Sequence, residues 1–268
     1  MAIDPSAVIH KMAVVDENAT IGPNCDIGPF AVVGPDVVLG ANVKLHSHAV
    51  VEGWTELGDE TVVFPFASIG HMPQDLKFGG EKTQLIVGKR NRIREHVTMN
   101  PGTEGGGGIT HVGDDGLFMM GVHVGHDCTV GNHVILANNA SLGGHSVIED
   151  HVVIGALAGV HQFTRVGRGA MIGGLAAVVS DVIPYGTVIG ERAHLGGLNL
   201  VGLKRSGIDR ELIDGLRHAY KSMFLSDKAV TEAIEDVRDA AADNHLIAEI
   251  LDFIDAAGKR RITTPSDT

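Results

Sequence analysis

The sequence predicts a β-solenoid: a parallel β-helix of six-residue repeats followed by a smaller α-helical domain. An aliphatic residue recurs at every sixth position, a glycine often follows it, and from about Glu191 this pattern gives way to helical spacing further along. A period of six fits neither a 3.6-residue helix nor an alternating strand. It fits short strands stacked coil upon coil, in which no repeat buries its core alone. The predicted domains are residues 1–190 for the β-helix and 191–268 for the helices.

The aliphatic register is long and almost continuous. It runs from Ile3 to Ile69 without a gap, returns at Val87, and resumes one residue out of phase from Val112 to Val178. We expect the aliphatic side chain to point inward, and the small or β-branched residue four places later to fill a tight space. Glycine directly after the aliphatic is expected to allow the backbone conformation of a corner.

Two segments interrupt the register, and a third part abandons it. Residues 71–84 leave the pattern and rejoin it, as an extruded loop does. Residues 101–108 (PGTEGGGG) lack the GK[ST] ending of a phosphate-binding loop and are predicted to form a flexible loop. Helical spacing begins after Asp209, a predicted N-cap, and the tail at 259–268 is expected to fray.

Composition excludes several classes of protein. The 268 residues carry a formal net charge of -12, which argues against a general nucleic-acid binder. Cys25 and Cys128 form no CxxC pair, so a reduced, cytoplasmic chain is the simplest interpretation. No signal peptide is recognisable, and no apolar run reaches the length of a membrane span.

Among fifteen histidines, three are expected to lie on one edge of the β-helix. If a coil has eighteen residues, His126, His145 and His161 fall at nearly one angular position in successive coils, about 4.8 Å apart. His133 and His151 are also eighteen residues apart, so such a ladder also arises for structural reasons. The ladder is therefore a candidate site, with a structural alternative.

The segment from Val122 to Asn132 (VHVGHDCTVGN) carries the strongest local signal. Together with QDLKF at 74–78, NRIRE at 91–95, ILANNA at 135–140, VHQF at 160–163 and GLKR at 202–205, it resembles the UDP-N-acetylglucosamine O-acyltransferases, a family of hexapeptide-repeat acyltransferases. This resemblance implies a left-handed prism with three hexapeptides per coil, whereas the general rule for parallel crossovers would predict a right-handed one. It also implies a homotrimer with ligands between subunits.

The resemblance further implies an activity that needs no cofactor and no metal. A 3-hydroxyacyl chain would pass from acyl carrier protein to the 3-position of UDP-N-acetylglucosamine, the first step of lipid A biosynthesis. His126 would be the general base, Asp127 would orient its ring, and the Gly144 N–H would stabilise the oxyanion.

Further site residues follow from the same resemblance. Substrate binding is expected at Asp75, Lys77, His123, His145, His161, Gln162, Asn199 and Arg205. Acyl-chain length is expected to depend on Met171 and Gly174. A basic cluster suits an acidic carrier protein, although a solvated face would look the same: Lys89, Arg90, Arg92 and Arg94. The chain departs from the family pattern toward the nucleotide end, at Arg192, Val201 and Ser206.

Other interpretations remain open. Zinc-dependent carbonic-anhydrase-like trimers also place histidines on β-helices, and an N-acyltransferase of the same pathway typically carries an additional N-terminal domain. A purely structural scaffold would show a flat threonine ladder, which this sequence lacks. Residue by residue, Asp127 could be only a turn residue, Lys77 an ordinary loop lysine and Cys128 a core side chain.

Overall fold

The computed structural model describes residues 2–258 and 260–266, and in them short strands stack into three sheets. The first sheet comprises Ala2–Ile3, Thr20–Ile21, Val38–Leu39, Trp54–Leu57, Gln84–Val87, Ile109–Val112, Thr129–Val130, Val147–Ile148 and Arg165–Val166. The second comprises Val8–Ile9, Asp26–Ile27, Lys44–Leu45, Val62–Val63, Arg92–Ile93, Leu117–Phe118, Ile135–Leu136, Val153–Ile154, Met171–Ile172, Gly186–Ile189 and His194–Leu198. The third comprises Val14–Val15, Val32–Val33, Val50–Val51, Ser68–Ile69, Thr98–Met99, His123–Val124, Ser141–Leu142, Gly159–Val160 and Ala177–Val178. We call the turns after these strands the first, second and third edges of the prism.

One coil of the prism has eighteen residues. Thr20 pairs with Val38 and Thr129 with Val147, each eighteen residues further along the chain. Where the two interruptions fall, the partners are more distant: Trp54 pairs with Gln84. Both interruptions are therefore extrusions from otherwise regular coils, as the register of the sequence predicts.

The core is a column of aliphatic side chains inside the prism. Inward residues such as Leu39 and Leu136 are buried, as are the small residues at the tight position, including Ala19. Phe118 is the one aromatic in the aliphatic series after the glycine-rich break, and it is fully buried. Its ring has room because Gly116 lies beside it, where a Cβ atom would approach the ring to 2.6 Å.

The glycines after the aliphatic residue do not have the role expected of them. Where a corner has a left-handed backbone, that backbone belongs to a residue two places later, such as Asn24 (φ 57°) or Asn42 (φ 58°). Gly22 is needed for a different reason, because a Cβ atom there would lie 2.6 Å from the carbonyl oxygen of Gly40 in the next coil. The expectation was wrong in its cause: these glycines allow coils to stack closely.

Helices follow the last coil. An antiparallel pair, Gly186–Ile189 and His194–Leu198, leads into them. The helices are α1 (Leu200–Arg205), α2 (Arg210–Phe224), α3 (Val230–Glu235) and α4 (His245–Asp255), with 3-10 turns at Asp239–Ala242 and, in the earlier loop, Glu104–Gly106. Asp209 stands at the N-cap of α2 but makes no side-chain cap hydrogen bond. No helix in the described residues is long and apolar enough to cross a membrane.

The C-terminal tail is paired where fraying was expected. Ile262 forms a parallel bridge with Asp181, and the Thr263 N–H donates to the Asp181 carbonyl at 2.7 Å. The Leu195 N–H donates to the Thr264 carbonyl at 2.9 Å. For residues 260–264 the expectation was wrong, because the last coil leaves backbone groups that the tail satisfies; residues 259, 267 and 268 lie outside the described part.

Candidate active site

The third edge of the prism gathers the predicted histidine ladder. His126, His145 and His161 lie in turns that follow three stacked strands of the third sheet. These strands are held in register by the pairs Val124↔Leu142 and Leu142↔Val160. The eighteen-residue coil thus brings three imidazoles to one edge, although each occupies a different place in its turn.

His126 and Asp127 form the centre of this edge. His126 Nδ1 lies 2.7 Å from Asp127 Oδ2, and the side chains are 17% and 1% exposed. An ionised carboxylate only accepts hydrogen bonds, so Nδ1 carries the proton and Nε2 is left with a free lone pair. Nε2 lies over Gly144, where a Cβ atom would come within 2.6 Å of it. The pair has the geometry of a general base with its orienting acid.

Three further hydrogen bonds involve Asp127, two accepted by its carboxylate and one donated by its backbone N–H. The Thr103 N–H donates to Oδ1 at 2.8 Å, and the Thr103 hydroxyl donates to Oδ2 at 2.7 Å. The Asp127 N–H donates to the Thr110 hydroxyl at 2.8 Å. Thr103 belongs to the glycine-rich segment 101–108, which the sequence predicts to be a flexible loop. That prediction missed its role: the segment forms a 3-10 turn against the carboxylate.

His145 completes the centre from the next coil. Its Nε2 lies 3.7 Å from Asp127 Oδ2, and its ring meets the His126 ring edge-on with centroids 5.0 Å apart. Phe163 stacks on the other side of His145 at 4.4 Å. The apolar ring and the neighbouring coil fix the imidazole beside the buried charge.

His123 and His161 lie on either side of this centre. His123 Nδ1 is hydrogen-bonded to the Thr98 hydroxyl at 2.8 Å, and burial, reinforced by the nearby His126, lowers the pKa of His123. His123 is therefore neutral near pH 7 and able to accept or donate one hydrogen bond at each ring nitrogen. His161 is exposed, with Nδ1 3.1 Å from the Gln162 carbonyl oxygen, which leaves its Nε2 as an acceptor.

Three side chains at this centre are also of types that can bind a metal ion. One donor atom from each of His126, Asp127 and His145 lies within 4.8 Å of the others. The Asp127 carboxylate, however, already accepts three hydrogen bonds at 2.7–2.8 Å. Three of the roughly four lone-pair positions of the carboxylate are thus occupied, so the donor set fits a hydrogen-bonded acid better than a metal ligand.

Other predicted site residues lie elsewhere on a single chain. In the loop at 71–84, the Lys77 N–H donates to Asp75 Oδ1 at 3.0 Å, and no described hydrogen bond or ion pair joins either residue to the His126 centre. Met171 lies in the second sheet and Gly174 in the second edge, away from the third edge. One chain therefore does not bring the predicted acyl-length residues to the histidines.

Two predicted residues lie at the two ends of α1, the first helix after the β-helix. Asn199 caps α1 through its Oδ1, which accepts the Gly202 N–H at 2.9 Å, and its Nδ2 donates to the Gly169 carbonyl at 2.9 Å. Arg205, at the end of α1, is exposed. Asn199 thus has a structural role that sequence reasoning did not foresee.

The basic cluster is largely neutralised by acids. Lys89 Nζ lies 2.8 Å from Asp59 Oδ2, and Arg90 Nε lies 2.7 Å from Asp115 Oδ1. Arg94 pairs with its neighbour Glu95 at 3.0 Å and lies over the Phe64 ring. These contacts lower the pKa of the acids and leave Arg92 as the cation of the cluster with no acidic partner among the described residues.

Several curated proteins are similar in sequence to this chain. The chain is 57% identical over 204 residues to an acyl-[acyl-carrier-protein]–UDP-N-acetylglucosamine O-acyltransferase of Paracoccus denitrificans, covering 76% of this chain and 77% of the relative. It is 47% identical to the protein of the same name from Rhizobium rhizogenes, over 99% of this chain and 98% of the relative. A family model described as "Udp N-acetylglucosamine O-acyltransferase; Domain 2" matches residues 181–263.

Solved structures agree with the sequence relatives. The UDP-N-acetylglucosamine acyltransferase from Campylobacter jejuni superimposes with a TM-score of 0.89 and 35% identity, covering 97% of this chain and all of that one. The fold and these relatives thus define a hexapeptide-repeat acyltransferase, a left-handed parallel β-helix with C-terminal helices. Within that class, the chain belongs to the family of UDP-N-acetylglucosamine O-acyltransferases that use acyl carrier protein.

Proposed function

We propose that the chain transfers a 3-hydroxyacyl group from acyl carrier protein to the 3-position of UDP-N-acetylglucosamine, the first step of lipid A biosynthesis. Its relatives at 47–57% identity bear the name of this activity. The observation that carries the mechanism is the 2.7 Å contact between His126 Nδ1 and the buried Asp127 carboxylate.

The reaction needs one proton acceptor that then becomes a proton donor. His126 Nε2 removes the proton from the sugar 3-hydroxyl as its oxygen attacks the thioester carbonyl carbon. The imidazolium that forms is stabilised by the Asp127 carboxylate. Collapse of the tetrahedral intermediate breaks the carbon–sulfur bond, and His126 returns the proton to the departing thiolate of the carrier. The base is regenerated, and no cofactor is consumed.

The developing oxyanion needs a hydrogen-bond donor, and the Gly144 N–H is suited to it. The equivalent amides of Asp114 and Asn132 on the first edge are capped by a side chain of the following coil, at 2.8 and 2.7 Å. For Gly144 the described residues include no such acceptor. A free amide beside His126 Nε2, on a residue without a side chain, can approach the thioester oxygen.

The remaining predicted residues are proposed to bind the two substrates. His123, His145, His161 and Gln162 flank the base and would contact the sugar and the acyl chain. Asp75 and Lys77 would hold the sugar from the extruded loop. Asn199 and Arg205 would reach the nucleotide, and Met171 and Gly174 would set the acyl length.

A homotrimer is proposed because these residues lie on different edges of one chain. Exposed rings stack along the second edge: Phe30, His48, Phe66 and His96, with centroids 4.9, 5.0 and 5.3 Å apart. Leu157 and Leu175 continue this apolar edge and are 59% and 65% exposed. In a three-fold assembly the second edge of one subunit packs near the third edge of its neighbour, so that Met171 and Gly174 approach a neighbouring His126.

Acyl carrier protein is proposed to dock on the basic cluster, in a cytoplasmic reaction. Since Lys89, Arg90 and Arg94 are already paired with acids, Arg92 is the residue that would contribute most to attracting an acidic carrier. The three paired cations would contribute to the shape of the docking surface more than to its net positive charge.

His126→Ala tests the proposed base. Transfer from a 3-hydroxyacyl carrier protein to UDP-N-acetylglucosamine, followed by mass spectrometry, should fall by about 100- to 10,000-fold. The thermal midpoint should change little, since the side chain is partly exposed and lies outside the aliphatic core. His133→Ala, which removes a histidine of the first edge stacked on His151 at 4.8 Å, is the matched control and should remain active. Full turnover by His126→Ala would refute the base, and one zinc ion per subunit in the purified protein would favour the metal-dependent alternative.

A further inference from the structure

Thr103 holds both oxygens of the Asp127 carboxylate. Its N–H donates to Oδ1 at 2.8 Å, and its hydroxyl donates to Oδ2 at 2.7 Å, on the same oxygen that accepts from His126 Nδ1. Asp127 is buried, so these donors replace the water that would otherwise solvate its charge. With both oxygens engaged by one residue, the carboxylate cannot rotate about its Cβ–Cγ bond without losing two hydrogen bonds.

The glycine-rich segment closes tightly enough to make this contact. The Gly106 and Gly108 N–H groups both donate to the Thr103 carbonyl, at 3.0 and 2.8 Å, so the segment folds back on Thr103. A Cβ atom at Gly106 would overlap the Asp127 carboxyl group, whereas one at Gly105 would meet open space. The glycine at 106, unlike its neighbour at 105, is therefore required for the segment to lie on the carboxylate.

We propose that Thr103 is a positioning residue, which the turn at Glu104–Gly106 presses onto Asp127 so that Oδ2 faces His126 Nδ1 and the base keeps its tautomer. The inference rests on the proposed role of His126 as the base. Thr103 acts through Asp127 and does not itself touch the reacting atoms. The extrusion at 101–108 is then part of the catalytic apparatus, since it supplies the donors that a buried acid needs.

Thr103→Val removes the hydroxyl but keeps the backbone donor and the shape of the side chain. We expect kcat to fall about 10- to 100-fold, the factor associated with one hydrogen bond to a charged group, while KM for UDP-N-acetylglucosamine stays within about two-fold. Thr103→Ser should restore most of kcat, because it returns the donor. Thr61→Val is the matched control: Thr61 is also buried, and its hydroxyl donates to the Gly88 carbonyl at 3.0 Å in another coil.

Gly106→Ala and Gly105→Ala test the same idea without touching a hydrogen-bonding side chain. Gly106→Ala should lower kcat as Thr103→Val does, whereas Gly105→Ala should leave it unchanged. Equal kcat for Thr103→Val and the wild type would overturn the inference, and so would a failure of Thr103→Ser to recover activity. If His126→Ala were fully active, the proposed base itself would fail; an inactive His126→Ala with a fully active Thr103→Val would reject the positioning role alone.

Discussion

Asp127 occupies a corner position that this fold often fills with Asn, Asp or His. At many corners the third residue after the inward aliphatic has a left-handed backbone, and Asn, Asp and His tolerate it better than most residues. Asp127 (φ 58°) and His145 (φ 61°) both stand at such positions. Two residues of the candidate active site are thus of types that the corners of the prism already favour.

Asp127→Asn tests whether the negative charge of this residue matters beyond its conformational role in the turn. Asparagine tolerates the left-handed backbone, so the coil should fold with an unchanged thermal midpoint. An amide cannot stabilise imidazolium as a carboxylate does, and kcat should fall by about 100-fold or more. Steady-state kinetics with the His126→Ala protein alongside will measure this. Activity near that of the wild type would mean that Asp127 serves only the turn.

Asp and His suit both a left-handed corner and acid–base catalysis, so the sequence alone does not distinguish a turn residue from a catalytic one. Spacing alone brings His126, His145 and His161 to one edge, yet it leaves Asp127 equally compatible with an ordinary corner. Thr103 carried no signal, because its contact joins residues 24 apart through an extrusion whose path no periodicity describes. The family resemblance, rather than physical reasoning, supplied the roles of both His126 and Asp127.

Glycine positions determine how closely the coils stack. At Gly155 a Cβ atom would overlap the backbone nitrogen of Gly174 in the next coil, and backbone cannot move aside as a flexible side chain can. At Gly159 a Cβ atom would meet nothing within 4 Å. The two glycines are only four residues apart, and they make a matched pair.

Gly155→Ala should lower the free energy of unfolding by about 1–3 kcal/mol or more, because two coils must separate locally. Gly159→Ala should be neutral or stabilising by a few tenths of a kcal/mol, since alanine reduces the freedom of the unfolded chain. Urea unfolding followed by circular dichroism measures both. Equal midpoints for the two variants would contradict close stacking as the reason for glycine at this position.

At the scale of elements, the period of six predicted the positions of the strands, but it predicted neither the handedness of the β-helix nor the role of its glycines. Ile3 to Ile69 and Val112 to Val178 placed the strands, and helical spacing predicted the C-terminal helices. Handedness could not follow, because the inward pattern is the same for either hand. The tail was misjudged for a related reason: pairing of Ile262 with Asp181 spans 81 residues and has no local signature.

The whole molecule should lose stability in mildly acidic solution. Burial is the largest cause that lowers the pKa of His46, His123 and His151 below the usual 6.5. In the unfolded chain these groups bind protons near pH 6.5, whereas in the folded chain they stay neutral to lower pH. Stability is therefore fully present above about pH 6.5 and falls as the pH drops below it. The urea midpoint should be lower at about pH 5.5 than at about pH 7.5, and His151→Gln should reduce that difference. A pH-independent midpoint would contradict the attribution of this loss to the buried histidines.

The apolar second edge gives the last prediction, which concerns assembly. Phe66 is 53% exposed and stacks between His48 and His96, so its ring lies in the middle of the edge that we propose to be covered by a neighbouring subunit. Phe66→Glu would bury a charge there, which costs several kcal/mol unless the charge is paired. Sedimentation should then show monomers at micromolar concentration, where we expect the wild type to sediment as the proposed trimer. Leu225→Glu, at a comparably exposed apolar position after α2, is the control and should leave the proposed trimer intact. Because Met171 and Gly174 of one chain lie away from its own His126, monomers should also lose acyl-chain selectivity; a monomeric variant with unchanged selectivity would place the whole acyl site within a single subunit.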